Sequence, residues 1–339
     1  MIVVMQTGAT NAQIETVIGH LSRFGFDVHR SSGVNKTVLG AIGVQPDFDV
    51  RQVQVLEGVS EVIRVTEPYK RASRTWQQDD TRFKVAGVEI GGDEVAVMAA
   101  IHPTTSDLEG VGRIVEAVAD AGASLILVGY ASASLPHQQL ATSSDAEKAV
   151  VSAARSAGMG IARPISDPGR IAASMDQTDI YLVNAADAHQ QSLLSELGKT
   201  KKPVLLRRGL ASTIEEWLIS AEQILAEGNP NVVLCESGIR TFEPYTRYTL
   251  DLSAIPVIHR KSHLPVFADP SHGTGLRNKA IPMALAATAA GADGLLIEVH
   301  ADEASAGQEE PQALLVSQFI ELMGQVRLIA GAIGRSIRA

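Results

Sequence analysis

The sequence has very little cysteine, since Cys235 is the single one in 339 residues. No intrachain disulfide can form, which fits a reducing compartment, and we predict a cytoplasmic protein. The chain also lacks an apolar run of about 18 residues, so no membrane-spanning helix is expected. Its opening stretch, MIVVMQTGAT, has neither the basic region nor the apolar length of a signal peptide, and none is predicted.

Clusters of positive charge are missing as well. Lys and Arg total 29 against 38 Asp and Glu, and the net charge is -9. Without a run rich in lysine or arginine, binding to nucleic acid or to an anionic membrane surface is not expected. The apolar fraction of 45 % and the charged fraction of 20 % are those of a folded globular protein rather than of a disordered one.

The first 70 residues have a pattern of their own. Strand-like runs and two helical stretches follow the order β-α-β-β-α-β, which is typical of a small ferredoxin-like α+β domain. The longer helical stretch, 11–24, repeats apolar residues with helical spacing. Such a domain is either a packing or oligomerisation module or an effector-binding, regulatory domain. Residues 71–93 are mixed and polar, and we predict a linker with a hairpin that plugs the bottom of the next domain.

From residue 94 to 339, apolar strands alternate with helical runs. The predicted strands are 95–101, 124–130, 159–164, 179–184, 203–208, 231–236, 265–270 and 294–300. Strands and helices in this alternation over about 240 residues predict an α/β fold, the (β/α)8 TIM barrel. The alternative is a doubly wound open sheet, which needs a glycine-rich phosphate loop after its first strand. Here that strand is followed by HPTTSD, so the barrel is favoured.

The strand ends of such a barrel meet at one mouth, where the chemistry of barrel enzymes usually lies. His102, His272 and Glu298 each end or follow a predicted strand. Together with one further carboxylate they would offer two nitrogen and two oxygen ligands, a set that suits Mn²⁺, Fe²⁺, Zn²⁺ or Co²⁺. We therefore predict a divalent metal site. The acids available in the loop after the last strand are Asp302, Glu303, Glu309 and Glu310.

Several longer stretches of the chain resemble one family. Among them are EPYKRASR (67–74), KPVLLRRG (202–209), ESGIRTFE (236–243), SHLPVFADPSH (262–272) and EVH (298–300). They resemble the short-chain, type I beta class of 3-deoxy-D-arabino-heptulosonate 7-phosphate (DAHP) synthases. The resemblance implies a ferredoxin-like domain before a (β/α)8 barrel, a divalent metal and a homo-oligomer. It also implies the reaction that opens the shikimate pathway, in which phosphoenolpyruvate is joined to erythrose 4-phosphate.

The family's metal ligands correspond to residues of this chain with one change. The first is a Cys after the first barrel strand, and ungapped alignment puts His102 at its position. His272 and Glu298 match the next two ligands. The fourth, an Asp in the last loop, falls near Glu309, and Asp302 and Glu310 are the alternatives. The resemblance thus implies a metal site in which one ligand type has changed.

The cations that hold the substrates in the family are mostly absent. Its second strand carries an Arg and then Lys-Pro-Arg-Thr, whereas this chain reads LVGYASAS over 127–134. Where the family has Arg-Asn-Ala-Gln, the Arg is replaced here by Ala186. In the family's Lys-Arg-Gly motif the Lys is replaced by Arg207, and in its Glu-Arg-Gly-Ile-Arg motif the first Arg is replaced by Ser237. Of the six positions that carry a cation in the family, five therefore hold a neutral residue in this chain. Because a charge-assisted hydrogen bond contributes roughly 1.5–3 kcal/mol, weak binding of two phosphorylated substrates is predicted.

Three hypotheses follow. The first is a metal-dependent transferase or lyase repurposed to a less phosphorylated keto acid or ring acid, through carbonyl or enolate chemistry. The second is a non-catalytic paralogue that regulates a shikimate-pathway enzyme, and the third is a genuine DAHP synthase. For the first hypothesis, the predicted catalytic residues are Arg207, His189, Asp187 and Tyr130. The predicted binding residues for a substrate carboxylate are Arg163, Arg207, Arg208, Arg240 and Ser237.

Overall fold

The computed structural model describes residues 1–33, 36–44, 48–64, 68–101, 108–129, 144–300 and 311–338. The chain divides into two compact units, Met1–Lys70 and Arg71–Ala339. Within the described ranges, no helix is both long enough and apolar enough to cross a membrane.

The first unit is built on a four-stranded antiparallel sheet. Its elements are β1 (Ile2–Met5), α1 (Asn11–Arg23), β2 (Asp27–Ser32), β3 (Thr37–Ile42), α2 (Arg51–Gln54) and β4 (Val59–Ile63). The strands lie in the order β2-β3-β1-β4, and the predicted ferredoxin-like fold is confirmed. A capping box between Thr10 and Gln13 begins α1. The apolar face of α1, formed by Ile14, Val17 and Leu21, is buried in the core of this unit.

A short hairpin precedes the barrel strands of the second unit. β5 (Phe83–Val85) and β6 (Val88–Ile90) pair antiparallel across a two-residue turn. Ala86 and Gly87 of this turn have φ of 48° and 86°, the backbone that two-residue hairpins prefer. Apolar side chains of the hairpin are buried in the same cluster as the barrel interior. A Cβ added at Gly160, where a barrel strand begins, would lie 3.2 Å from the Ala86 Cβ. The hairpin therefore closes the end of the barrel at which the strands begin.

The barrel itself is a closed ring of parallel strands. In the described residues these are β7 (Ala96–Ile101), β8 (Leu125–Leu127), β9 (Gly160–Pro164), β10 (Ile180–Val183), β11 (Val204–Arg207), β12 (Val232–Glu236), β13 (Val266–Ala268) and β14 (Gly294–His300). Each strand pairs with the next, and β14 pairs with β7. This closure confirms the (β/α)8 barrel and excludes the open sheet. A short strand, β15 (Leu314–Leu315), adds to β14.

Helices alternate with the strands of the ring. They are α3 (Leu108–Asp120), α4 (Ser144–Ser156), α5 (Ile171–Ser174), α6 (Gln191–Lys199), α7 (Ile214–Ala226), α8 (Ala254–Lys261), α9 (Pro270–Thr274), α10 (Arg277–Ala289) and α11 (Val316–Ala332). Short 3₁₀ helices, Pro168–Arg170 and Met175–Gln177, flank α5. In α7, the Trp217 ring is fully buried and its Nε1 donates to the Leu206 carbonyl of β11 at 3.1 Å. This bond attaches the helix to the outside of the ring.

Alternation along the strands decides which side chains enter the barrel. Leu205 of β11 and Phe267 of β13 lie in the interior cluster. Because successive side chains of a strand point to opposite faces, Arg207 and Asp269 continue these interior rows. Arg208 continues the outward row by the same argument. The polar side chains at the strand ends are therefore divided between the mouth and the helix layer.

Candidate active site

Arg207 and Asp269 form a buried ion pair at the mouth, with side-chain exposures of 1 % and 0 %. The Arg207 Nη2 donates to Asp269 Oδ2, and its Nη1 donates to Asn184 Oδ1 at 3.2 Å. Burial raises the pKa of Asp269 to about 6; the Arg207 charge opposes this rise and the Glu298 carboxylate adds to it. The Arg207 charge, which the sequence predicts to hold a substrate, is thus already matched by a carboxylate of the protein.

Asp269 also caps the short helix α9, which carries His272. The Asp269 Oδ1 accepts the His272 backbone N–H at 2.9 Å, and Pro270 fills the first turn. Burial lowers the pKa of His272 well below its usual value, and the charges of Arg207 and Arg247 act in the same direction. The imidazole is therefore neutral at pH 7, which is the form that binds a metal ion.

Glu298 is a fully buried carboxylate on the interior face of β14. Its backbone N–H donates to Ser271 Oγ at 3.1 Å, which joins β14 to α9. Its Oε2 accepts from Gln312 Nε2 at 2.8 Å, and Gln312 Oε1 accepts from Arg247 Nη2 at 3.0 Å. Sequence reasoning missed Gln312 and Arg247, because neither is marked by a strand end or by a spacing typical of a site.

The chemistry of His272 and Glu298 fits a divalent metal, since a neutral imidazole and a buried carboxylate are common ligands. The other two predicted ligands, His102 and Glu309, lie outside the described residues. The same holds for the alternative ligands Asp302, Glu303 and Glu310. Among the residues that the structure describes, no three His, Cys, Asp or Glu side chains come together as a metal-binding group. His272 and Glu298 are buried at the mouth, and the predicted ligand set stays a prediction.

Arg208 faces the helix layer. Its Nη1 donates to Glu236 Oε2 at 3.0 Å and to Asp251 Oδ2 at 2.9 Å, and its guanidinium lies 5.9 Å from the centre of the Trp217 ring. Burial raises the pKa of Glu236, and the Arg208 charge opposes it. The pKa of Asp251 is lowered. Burial by itself would raise this pKa, but the hydrogen bonds from Ser253 and Arg208 outweigh the effect of burial. A role of Arg208 in substrate binding stays a prediction.

The other two predicted anion-binding cations lie elsewhere on the barrel. Arg163 donates to Glu147 of α4 and, at 3.3 Å, to the Gln177 carbonyl. Arg240 is exposed in the loop after β12, where its backbone N–H donates to the Leu210 carbonyl at 2.8 Å. Arg163 therefore belongs to the boundary between strands and helices, whereas Arg240 belongs to the solvent-facing rim.

His189 lies among hydroxyl groups in the loop after β10. Its Nε2 is 2.6 Å from Ser212 Oγ, and its Nδ1 is 3.0 Å from Ser220 Oγ. The Ser220 hydroxyl also lies 3.2 Å from the Glu216 carbonyl, to which it can donate. A neutral imidazole has one donor and one acceptor nitrogen, so the two hydroxyls can hold the ring in either tautomer. In the same loop, burial raises the pKa of Asp187.

Two predicted site residues remain. Tyr130 lies outside the described residues. Ser237 follows β12 and is fully buried, and its Oγ has no hydrogen-bond partner among the described residues. Protein interiors rarely leave a buried hydroxyl without a partner, and a role of Ser237 in substrate binding stays a prediction.

Both units match known protein families. Residues 98–329 match the DAHP synthetase I family, and residues 1–67 match the DAHP synthase ferredoxin-like domain. The chain is 35 % identical to the phospho-2-dehydro-3-deoxyheptonate aldolase of Thermotoga maritima, across 98 % of this chain and 99 % of that protein. This chain belongs to the DAHP synthetase I family. The resemblance recognised in the sequence is confirmed, and membership supports an aldolase-type enzyme.

Solved structures of the family agree with the fold. The crystal structure of the Thermotoga maritima DAHP synthase matches with a TM-score of 0.83 at 34 % identity, and the match covers 99 % of both chains. A truncated form of the enzyme from the same organism matches 80 % of this chain with a TM-score of 0.72 at 33 % identity. More distantly, a 2-dehydro-3-deoxyphosphooctonate aldolase of Syntrophobacter fumaroxidans is 28 % identical over 180 residues, which is 50 % of this chain and 62 % of that protein.

Proposed function

We propose that the chain catalyses the DAHP-synthase type of condensation, in which an enolpyruvate adds to an aldehyde at the mouth of the barrel. The observation that carries this proposal is the 35 % identity to a DAHP synthase over nearly the full length of both proteins. The buried pair of His272 and Glu298 at the predicted metal position supports it. In this reaction a carbon–carbon bond forms between the methylene carbon of phosphoenolpyruvate and the aldehyde carbon, and the aldehyde oxygen takes up a proton. A water molecule adds at C2 of the enolpyruvate, and phosphate leaves from that carbon as the keto group forms.

The residues of this chain would divide the work as follows. His272 and Glu298 would hold the divalent metal with His102 and Glu309, and the bound metal would polarise the aldehyde oxygen. Arg207, paired with Asp269 and bonded to Asn184, would donate a hydrogen bond to the substrate without supplying an unmatched charge to it. His189, whose Nε2 lies 2.6 Å from the Ser212 hydroxyl, would take up a proton during the reaction.

A second candidate function is the same condensation on a less phosphorylated substrate. It is favoured by the small number of cationic side chains that could hold phosphate groups. Arg207 and Arg208 are both paired with buried carboxylates of the protein. The stretch 127–134, where the family has an Arg and a Lys-Pro-Arg-Thr motif, carries no charged residue. Because each lost charge-assisted hydrogen bond removes roughly 1.5–3 kcal/mol, two phosphate groups would be held weakly.

A panel of substrates separates these candidates. The full chain, loaded with Mn²⁺, would be given phosphoenolpyruvate with erythrose 4-phosphate or with unphosphorylated erythrose, and phosphate release would be followed. Release with erythrose 4-phosphate supports the main proposal, and release only with erythrose supports the second. Release in neither case contradicts the main proposal and excludes erythrose as the less phosphorylated substrate. Keto acids and ring acids would then be screened for condensation products, and no product with any of them would favour the non-catalytic paralogue. Glu298→Gln is the matched control, since it removes the ligand charge and keeps the side-chain shape.

Other features expected from the family remain predictions. They are a homo-oligomer, a cytoplasmic location, regulation through the ferredoxin-like domain and association with another shikimate-pathway enzyme. The identity of the metal among Mn²⁺, Fe²⁺, Zn²⁺ and Co²⁺ is likewise a prediction.

A further inference from the structure

A short segment, Arg247–Tyr248, runs beside the helix that carries His272. The Arg247 N–H donates to the Thr274 carbonyl at 3.0 Å, and the Tyr248 N–H donates to the Gly273 carbonyl at 2.9 Å. The Tyr248 ring lies against the His272 ring with 5.6 Å between their centres. This segment is therefore fixed to the last turn of α9 by main-chain bonds.

Two glycines let the segment approach this closely. A Cβ at Gly238 would lie 2.6 Å from the Tyr248 Cβ, and a Cβ at Gly275 would lie 2.8 Å from the Arg247 Cβ. Both glycines have positive φ, 97° and 71°, which larger residues adopt only with strain. Arg247 thus has a defined position from which its side chain reaches Gln312.

The Arg247 side chain reaches Glu298 through one amide. Arg247 Nη2 donates to Gln312 Oε1 at 3.0 Å, and Gln312 Nε2 donates to Glu298 Oε2 at 2.8 Å. A guanidinium can only donate hydrogen bonds, and an ionised carboxylate can only accept them. The Gln312 amide therefore has a single orientation that satisfies both neighbours. The bond between Gln312 and Glu298 is buried from water, and the bond between Arg247 and Gln312 is partly buried.

We propose that Gln312 is a positioning residue for Glu298, and that Arg247 fixes the orientation of the Gln312 amide. The inference rests on the proposed metal-dependent function, in which Glu298 is a ligand. With Oε2 engaged by Gln312, the carboxylate is held in one rotamer before the metal arrives. Outer hydrogen bonds of this kind typically change metal affinity by about 10–100-fold when they are removed.

Mn²⁺ binding to the full chain tests the proposal, with affinity measured by calorimetry and by the loss of the free-ion EPR signal. Gln312→Met keeps the side-chain length and removes both hydrogen bonds, and should weaken Mn²⁺ binding by about 10–100-fold. Arg247→Met should weaken it by about 10-fold, at the lower end of that range. If Arg247 acts through Gln312, the double variant should bind no more weakly than Gln312→Met alone.

The matched control is Gln325→Met, since Gln325 Nε2 donates to Glu321 Oε1 at 3.5 Å on the surface of α11. It should leave the affinity unchanged. The visible absorption bands of bound Co²⁺ provide a second readout, and should change in Gln312→Met and stay constant in Gln325→Met. A purely structural role of Gln312 would shift the melting temperature without altering those bands.

Two results would overturn the proposal: Mn²⁺ affinity of Gln312→Met and Arg247→Met within twofold of the parent chain, or no binding by the parent chain at all. Should Gln312→Met not fold, Arg247→Met alone decides the matter through the same measurements. The proposed reaction can fail separately. A parent chain that binds Mn²⁺, loses affinity on Gln312→Met and forms no product would refute the reaction and retain the positioning role.

Discussion

Removing the Arg207 charge should destabilise the barrel strongly, because Asp269 would then be a buried carboxylate without its cation. The two side chains are 1 % and 0 % exposed. Breaking a buried pair by removing one partner typically costs about 3–5 kcal/mol of unfolding free energy. At about 2–4 °C per kcal/mol for a domain of this size, Arg207→Met should lower the melting temperature by about 6–20 °C.

A double-mutant cycle isolates the pair. Asp269→Asn should also destabilise the protein. The double variant, Arg207→Met with Asp269→Asn, should lose clearly less unfolding free energy than the two single variants lose together. Unfolding by urea, followed by circular dichroism, gives the free energies. Arg155→Met is the matched control, because Arg155 pairs with Asp179 and is 41 % exposed. Exposed pairs contribute about 0–1 kcal/mol.

Additive single effects in this cycle, or a loss of unfolding free energy below about 1 kcal/mol for Arg207→Met, would show that the pair is not tightly coupled. The Arg207 charge would then be only loosely coupled to Asp269. It would be available to a substrate anion, and the second candidate function would lose its main support.

Two further predictions concern stability. Gly294→Ala should lower the free energy of unfolding by about 1–3 kcal/mol, because its Cβ would lie 2.4 Å from the buried Phe267 ring. In urea unfolding, Phe267→Leu should restore part of this free energy, and no restoration would contradict the close packing of the two residues. Burial lowers the pKa of His263 below 6.5, while its ring contacts Thr81 Oγ1 and the Arg71 carbonyl, each at 2.6 Å. The unfolded chain therefore takes up the proton more readily, and stability should fall as the pH drops below about 6.5. His263→Gln should flatten this slope in unfolding measurements between pH 7 and pH 5; equal slopes in both proteins would show that His263 does not cause it.

The sequence predicted the architecture because its signals are local. The helix predicted over 11–24 is α1 (Asn11–Arg23), and the strand predicted over 265–270 contains β13 (Val266–Ala268). Apolar periodicity identifies such elements without knowledge of their neighbours. The last residues of that predicted strand leave the ladder because Asp269 caps α9 instead.

The partners of the cations could not be predicted in the same way. Arg207 and Asp269 are 62 residues apart in the chain, and Arg208 and Glu236 are 28 apart. Which carboxylate each arginine meets depends on strand register and on the face of the strand, and the sequence contains many acids that could serve. Strand alternation alone could have separated Arg207 from Arg208, since it assigns them to opposite faces.

Gln312 had no signal in the sequence at all. A glutamine outside a strand end is usually a surface residue, yet here it is fully buried against Glu298. Only the packing of the segment after the last loop against β14 and Arg247 gives it a role.

The central claim is that this chain joins an enolpyruvate to an aldehyde in a metal-dependent reaction. Mass spectrometry of the products from phosphoenolpyruvate and erythrose 4-phosphate, incubated with the Mn²⁺-loaded full chain, tests it most directly. The expected product is a seven-carbon keto acid phosphate that disappears when the metal is chelated and is absent with His272→Gln. A parent chain that binds Mn²⁺ and yields no more of this product than His272→Gln would contradict it.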